Sequence, residues 1–149
     1  MGFEIVRLDH VQLAMPPGRE TEAEAFYAGL LGLTRKPKPE PMASRGGCWF
    51  ESGPVAVHLG VEEDFRSARK AHPALAVRDL PALESVLRGA GVSVRPNPDA
   101  APGRGAYIDD PFGSTGRGRR AGAGRAHPRL SLGRRARAAG IVRKKGATA

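Results

Sequence analysis

An internal repeat constrains this chain more than any other feature of its sequence. The residues around His10 and those around His72 each begin a segment with strand-like alternation, and each segment leads into a predicted amphipathic helix that ends near a glycine. His10 lies 22 positions before Gly32, and His72 lies 19 positions before Gly91. Short predicted strands follow both helices. The repeat therefore predicts two units with the same order of strand, helix, strand, strand, strand.

The second unit loses this pattern after Gly113. In the first unit, a turn at Gly53 leads into the apolar strand at residues 55–59, whereas the turn at Gly113 leads into Ser-Thr-Gly-Arg-Gly-Arg-Arg at 114–120. This segment has no apolar alternation and is a poor candidate for a strand. The sequence thus predicts that the eighth strand is missing or replaced, and that a largely disordered tail follows Gly113.

The net charge of +9 comes from the carboxyl-terminal part of the chain. Residues 114–149 hold 11 of the 24 Lys and Arg residues and none of the 15 Asp and Glu residues, so residues 1–113 carry a formal charge of −2. We divide the chain into a first module at 1–64, a second, incomplete module at 65–113, and a basic Gly/Arg/Ala tail at 114–149. The tail lacks interleaved aromatic residues, so it predicts at most a non-specific, salt-sensitive attraction to nucleic acid.

Composition excludes several classes of protein. The chain of 149 residues is long enough for a sizeable core, and it contains no run of about 18 apolar residues that could span a membrane. Its first residues lack the basic-then-apolar pattern of an export signal. The single cysteine, Cys48, cannot form a disulfide within the chain. These features predict a cytoplasmic protein.

Three histidines on three predicted strands give the strongest indication of a functional site. His10, His58 and His72 each share a strand face with small residues, while bulky apolar residues occupy the opposite face, so the sheet leaves space on the histidine face. Imidazole is the commonest metal-binding side chain, and three protein ligands with an open position are typical of a catalytic metal site. The alternative is that each histidine is an ordinary hydrogen-bonded residue of the core or surface.

Several motifs occur in an order that matches a known group of proteins. They are Leu-Asp-His-Val-Gln-Leu at 8–13, Ala-Phe-Tyr at 25–27, Leu-Leu-Gly-Leu at 30–33, Val-His-Leu-Gly at 57–60, Ala-His-Pro-Ala-Leu-Ala-Val at 71–77, Gly-Ala-Gly-Val at 89–92 and Asp-Asp-Pro-Phe-Gly at 109–113. Through them, residues 5–113 resemble the vicinal oxygen chelate superfamily of glyoxalases, bleomycin-resistance proteins and extradiol dioxygenases. The resemblance implies an α+β fold in which two βαβββ modules form a curled mixed sheet around a pocket. It also implies a homodimer.

The resemblance implies a metal site as well. In this superfamily the ligands lie on the first and fourth strands of each module, and the metal chelates two neighbouring oxygens of a small molecule. His10, His58 and His72 stand at three of these four positions, and the implied cofactor is a divalent ion of Zn, Ni, Mn or Fe. The fourth ligand is normally a Glu on the strand after the Asp-Pro-Phe-Gly turn, where this chain has Arg117, Gly118 and Arg119.

Two functions follow from the resemblance. The first is a metal-dependent lyase or dioxygenase that acts on a small molecule with neighbouring oxygens. The second is a metal-free small-molecule binding protein of the bleomycin-resistance type, which takes up an antibiotic. Because the carboxylate ligand is lacking, we assign no catalytic base.

Candidates for substrate binding are fewer and less specific. Gln12, Trp49 and Tyr107 are our candidates; solvent contact is the alternative for Gln12, and core or interface packing is the alternative for Trp49 and Tyr107. The connector cations Arg66, Arg69 and Lys70 either steer an anionic substrate or form a solvated surface, and the sequence favours the solvated surface.

A frameshift is one hypothesis for the abrupt change in composition after Gly113. Arg, Gly, Ala and Pro are the residues that a GC-rich gene encodes when it is read out of frame. A frameshift would explain both the lost strand pattern and the absence of Asp and Glu beyond Asp110. The intact mass of the purified protein tests whether this carboxyl-terminal sequence is present.

Overall fold

The first half of the chain forms one sheet and one interrupted helix. The structure is a computed structural model that describes residues 3–122. Its first elements are β1 (Val11–Met15), α1 (Glu20–Glu24), β2 (Thr34–Lys36), β3 (Cys48–Ser52) and β4 (Val55–Val61). The helix α1 continues directly as a single π-helical segment at Ala25–Leu30, and a short 3₁₀ turn at Ala43–Arg45 precedes β3.

The second half repeats this order of elements. They are β5 (Ala74–Val77), α2 (Leu80–Gly89), β6 (Val94–Pro96), β7 (Gly105–Asp109) and β8 (Thr115–Arg120). Asp79 is a residue type that favours the position before a helix, and its side chain caps α2 by accepting a hydrogen bond of 3.0 Å from the backbone N–H of Ala82.

Both sheets have the same topology. The strand order is β1-β4-β3-β2 in the first sheet and β5-β8-β7-β6 in the second. In each sheet the first and fourth strands of the module pair in parallel, and the remaining pairs are antiparallel. This arrangement confirms the predicted α+β fold of two βαβββ modules.

The helices cover one face of each sheet and bring the modules together. Phe26 and Tyr27 are buried on the first helical segment, and Leu80 and Leu87 are buried on α2. The Tyr27 hydroxyl donates a hydrogen bond of 3.0 Å to the Asp110 carboxylate, which joins the first helix to the turn before β8. Within residues 3–122, no helix has the length and apolar character needed to cross a membrane.

The strand β8 corrects one expectation from the sequence. Residues 114–120 were expected to make a poor strand, yet Thr115–Arg120 pairs with β5 on one side and with β7 on the other. The eighth strand is therefore replaced rather than missing. The rest of the predicted tail, residues 123–149, lies outside the described residues.

Tertiary contacts explain why β8 forms without apolar alternation. Two neighbouring strands supply its backbone hydrogen bonds, and these outweigh a weak local propensity. A Cβ placed on Gly118 would lie 2.9 Å from Cδ1 of Leu80, which is itself fully buried. The glycine thus leaves the space that the α2 side chain fills, so the apolar group under the strand comes from the helix.

Candidate functional site

The first module places two of the predicted ligands side by side. His58 on β4 pairs in parallel register with Gln12 on β1, and His10 precedes Gln12 by two residues. The His10 and His58 rings stack with their centroids 4.2 Å apart and their planes at 21°. Trp49, which is opposite His58 on β3, stacks on His58 at 4.2 Å and 9°. His58 therefore lies between two rings.

Burial favours the neutral form of the His58 ring. The residue is 8% exposed, and its Nε2 atom has no hydrogen-bond partner among the described residues. Burial lowers the pKa of His58, and the neighbouring His10 lowers it further. The outer ring of the stack is different, because the Nδ1 atom of His10 lies 3.2 Å from the exposed Asp9 carboxylate. The first module thus presents a stack of three aromatic rings with the buried His58 in the middle.

Gln12 lies over a glycine of the adjacent strand. A Cβ placed on Gly60 would lie 2.8 Å from the Gln12 Nε2 atom, so the amide occupies the space that this glycine leaves open. Gln12 is exposed. Its role in substrate binding stays a prediction.

The second module carries a different set of side chains at the equivalent positions. Arg117 on β8 pairs in parallel register with Ala74 on β5, and His72 precedes Ala74 by two residues. Arg117 is opposite Tyr107 on β7, as His58 is opposite Trp49. The Cζ atom of Arg117 lies 5.7 Å from the Tyr107 ring centroid. The fourth ligand position of the repeat is therefore filled by a guanidinium group.

His72 has its tautomer set by the chain before β5. Its Nδ1 atom lies 2.8 Å from the backbone carbonyl oxygen of Lys70, and because a carbonyl can only accept, Nδ1 carries the proton. In this tautomer Nε2 is the acceptor of the ring. The His72 ring also meets Tyr107 edge to face, with centroids 5.8 Å apart and planes at 84°.

Two open cavities meet at His72. The first is in the second module and has a volume of about 500 Å³; its lining residues are Arg69, Lys70, His72, Arg95, Tyr107, Asp109, Gly113 and Thr115. The second has a volume of about 590 Å³ and lies between the modules, where residues 8–13 and 54–57 face residues 68 and 71–75. Both volumes suit a small molecule. We call the first the basic cavity.

The side chains present do not fit a bound divalent metal. Within residues 3–122, no group of three or more His, Cys, Asp or Glu side chains is placed to hold a metal ion. His10 and His58 stack on each other, His72 packs on Tyr107 instead, and Arg117 brings a positive charge to the fourth position. A permanent cation repels a divalent ion, and a guanidinium cannot act as a ligand.

The sequence indicated some of these residues and missed others. It predicted Tyr107 as a binding residue, and the structure places it in the basic cavity. Of the three connector cations, Arg69 and Lys70 line that cavity and Arg66 does not; the position of Arg69 and Lys70 shortly before His72 was the available signal. Arg95 carried no signal, because only the pairing of β6 with β7 brings it beside Asp109.

Solved structures resemble this fold closely. A glyoxalase family protein from Bacillus anthracis is 39% identical, with a TM-score of 0.75 over 82% of this chain and 100% of that chain. A glyoxalase/dioxygenase from Nostoc punctiforme is 17% identical, with a TM-score of 0.63 over 78% and 92% of the two chains. The fosfomycin resistance protein FosX from Listeria monocytogenes is 15% identical, with a TM-score of 0.60 over 85% and 97%.

These likenesses establish the family. No protein-family model matches the sequence, and a search of curated proteins finds no match. The identity and coverage shared with the Bacillus anthracis protein nevertheless show that this chain belongs to the glyoxalase family, within the vicinal oxygen chelate superfamily.

Proposed function

We propose that this chain binds a small molecule with neighbouring oxygen atoms in the basic cavity, and that it does so without a metal ion. The observation that supports the proposal is the place of Arg117, which stands where the repeat would otherwise supply a metal ligand. The Arg117 guanidinium and the hydroxyl of Tyr107, which lines the cavity, can donate hydrogen bonds to the oxygen atoms of such a ligand. In this proposal, these donors hold the ligand in place of a metal ion.

Metal analysis separates this function from that of a metal-dependent lyase or dioxygenase. The protein is purified without chelator, and its content of Zn, Ni, Mn and Fe is measured together with its melting temperature in each ion. We expect far less than one ion per chain and no change in melting temperature. One equivalent of metal that His72→Ala removes would overturn the metal-free proposal.

Ligand binding is tested with simple probes. Saturation-transfer NMR with oxalate, glycolate and catechol, each of which carries neighbouring oxygens, reports binding to the full chain. We expect at least one probe to bind, and we expect Tyr107→Ala to abolish its signal. Trp49→Ala changes the equivalent aromatic residue of the first module and is the matched control. The proposal fails if no probe binds, or if both variants lose binding equally.

A further inference from the structure

The basic cavity has an excess of positive charge. Arg69, Lys70 and Arg95 line it, and Asp109 is the acid among its lining residues. Asp109 is already engaged: its Oδ1 atom accepts a hydrogen bond of 2.7 Å from Arg95 and one of 3.2 Å from the Thr115 hydroxyl. Asp109 is therefore already paired with Arg95, and the lining residues hold no further carboxylate to balance the charges of Arg69 and Lys70.

Arg117 lies beside the basic cavity, on the same face of β8 as Thr115, although it is not one of the residues that line it. Its guanidinium lies over Tyr107, which lines the cavity, and its Nε atom is buried without a hydrogen-bond partner in the described part of the chain. A buried donor without an acceptor is costly, and the cost is larger for a charged group. An acceptor from outside the chain would remove this cost.

The first module shows that this arrangement is not a general property of the fold. Its equivalent positions hold His10, His58 and Trp49, whose rings stack on one another and carry no permanent charge. At these three positions the first module therefore has no counterpart of the Arg117 guanidinium.

We propose that the basic cavity binds an oxyanion, a group with two or more oxygen atoms on one central atom, as in a phosphate or a carboxylate. The proposal rests on the proposed function and names its ligand class. Arg117 donates to two oxygens of the anion, since a planar guanidinium matches this geometry. Arg69 and Lys70 raise the local concentration of the anion and balance its charge.

Titration of the full chain with inorganic phosphate tests this proposal. Calorimetry at low ionic strength should show one saturable site, and 150 mM NaCl should weaken it. Arg117→Gln should raise the dissociation constant about tenfold, because a charge-assisted hydrogen-bond pair is lost. Arg120→Gln removes the same charge from the opposite face of the same strand, and it should change the constant less than twofold.

Two further variants keep the test sharp if Arg117→Gln does not fold. Arg117→Lys retains the charge but loses the paired donors, so it should bind phosphate with intermediate affinity. Lys70→Gln should weaken binding severalfold, whereas Arg66→Gln, in the same connector but outside the cavity lining, should not. Acetate in place of phosphate shows whether the cavity prefers a planar or a tetrahedral anion.

The outcomes separate the inference from the proposed function. Equal weakening by Arg117→Gln and Arg120→Gln would show diffuse attraction to a basic surface and overturn the oxyanion site. Tyr107-dependent binding of neutral catechol without binding of phosphate would overturn the inference and leave the proposed function standing. Absence of binding by phosphate, acetate, oxalate, glycolate and catechol alike would overturn both.

Discussion

Arg117 stands over Tyr107 in the second module at the place where His58 stands over Trp49 in the first. The backbone register is the same in both, because each residue lies on the fourth strand of its module, opposite an aromatic residue of the third. The two modules thus share one framework but differ in the chemistry at its centre. The predictions below follow from this difference and from the packing that supports it.

Reversing the charge at position 117 should change what the second module binds. His10 and His58 are in ring contact, so a carboxylate placed at 117 lies within reach of the equivalent residue, His72. Arg117→Glu should lose phosphate binding and gain a rise in melting temperature of about 2–4 °C in millimolar NiCl₂, which EDTA reverses. Arg120→Glu is the control and should show no such rise. An equal rise in both variants would indicate general acidity of the surface.

The glycines of β8 should differ in their tolerance of side chains. A Cβ on Gly118 would lie 2.9 Å from Cδ1 of Leu80, whereas a Cβ on Gly116 would lie 3.5 Å from the Ile108 carbonyl oxygen, an ordinary van der Waals distance. Gly118→Val should therefore lower the free energy of unfolding by about 1–3 kcal/mol through overpacking. Gly116→Val, on the same face of the same strand, should cost less. Urea denaturation measures both, and equal losses would contradict the packing described for α2.

Acidification should destabilise the protein through His58. Burial holds the pKa of His58 below its ordinary value, so the folded chain binds this proton less readily than the unfolded chain does. As the pH falls below about 6.5, the unfolded state takes up the proton first, and the free energy of unfolding decreases. The melting temperature should fall more between pH 7.5 and 5 in the wild type than in His58→Phe, which keeps a stacking ring. Parallel curves for the two proteins would refute this role.

The contact between Tyr27 and Asp110 should stabilise the joined modules. Burial raises the pKa of Asp110, and the Tyr27 hydroxyl opposes this shift by donating to the carboxylate. Tyr27→Phe should lower the free energy of unfolding by about 1–2 kcal/mol, because a half-buried acceptor loses its donor. Tyr107→Phe removes a hydroxyl from the basic cavity and should have little effect on stability. Denaturation of both variants at pH 7 provides the comparison.

Most of the fold was predictable because short segments of the sequence show the periodicity and the capping residues typical of strands and helices. The repeat gave the order of both modules, and Asp79 marked the start of α2. The strand β8 could not be predicted, because its formation depends on two partner strands and on Leu80, which fills the space over Gly118. None of these contacts is local in sequence.

The site was predictable in its positions but not in its chemistry. The sequence placed His10, His58 and His72 on three strands, but only His58 lies on one, β4. His10 and His72 lie one and two residues before the first strand of their modules, and the register of β1 with β4 and of β5 with β8 still makes their positions equivalent. Ring stacking in one module and a cation over a tyrosine in the other depend on side-chain packing across strands. Spacing along the chain carries no information about such packing, so the three-histidine metal site stays a prediction that the placement of the described side chains does not support.

The position of β8 inside its sheet also sets the order in which the chain can fold during synthesis. The first sheet is complete once Val61 has been made, whereas the second needs Arg120, 59 residues later. At ribosomal rates of about 5–20 residues per second, the interval is roughly 3–12 s. Once β5 has been made, it lacks its neighbour in the sheet until β8 follows, and Tyr27 lacks its hydrogen-bond acceptor until Asp110 has been made. The first module must therefore fold before the second sheet is complete. Whether the second sheet then forms and packs against the first module depends on residues 115–120.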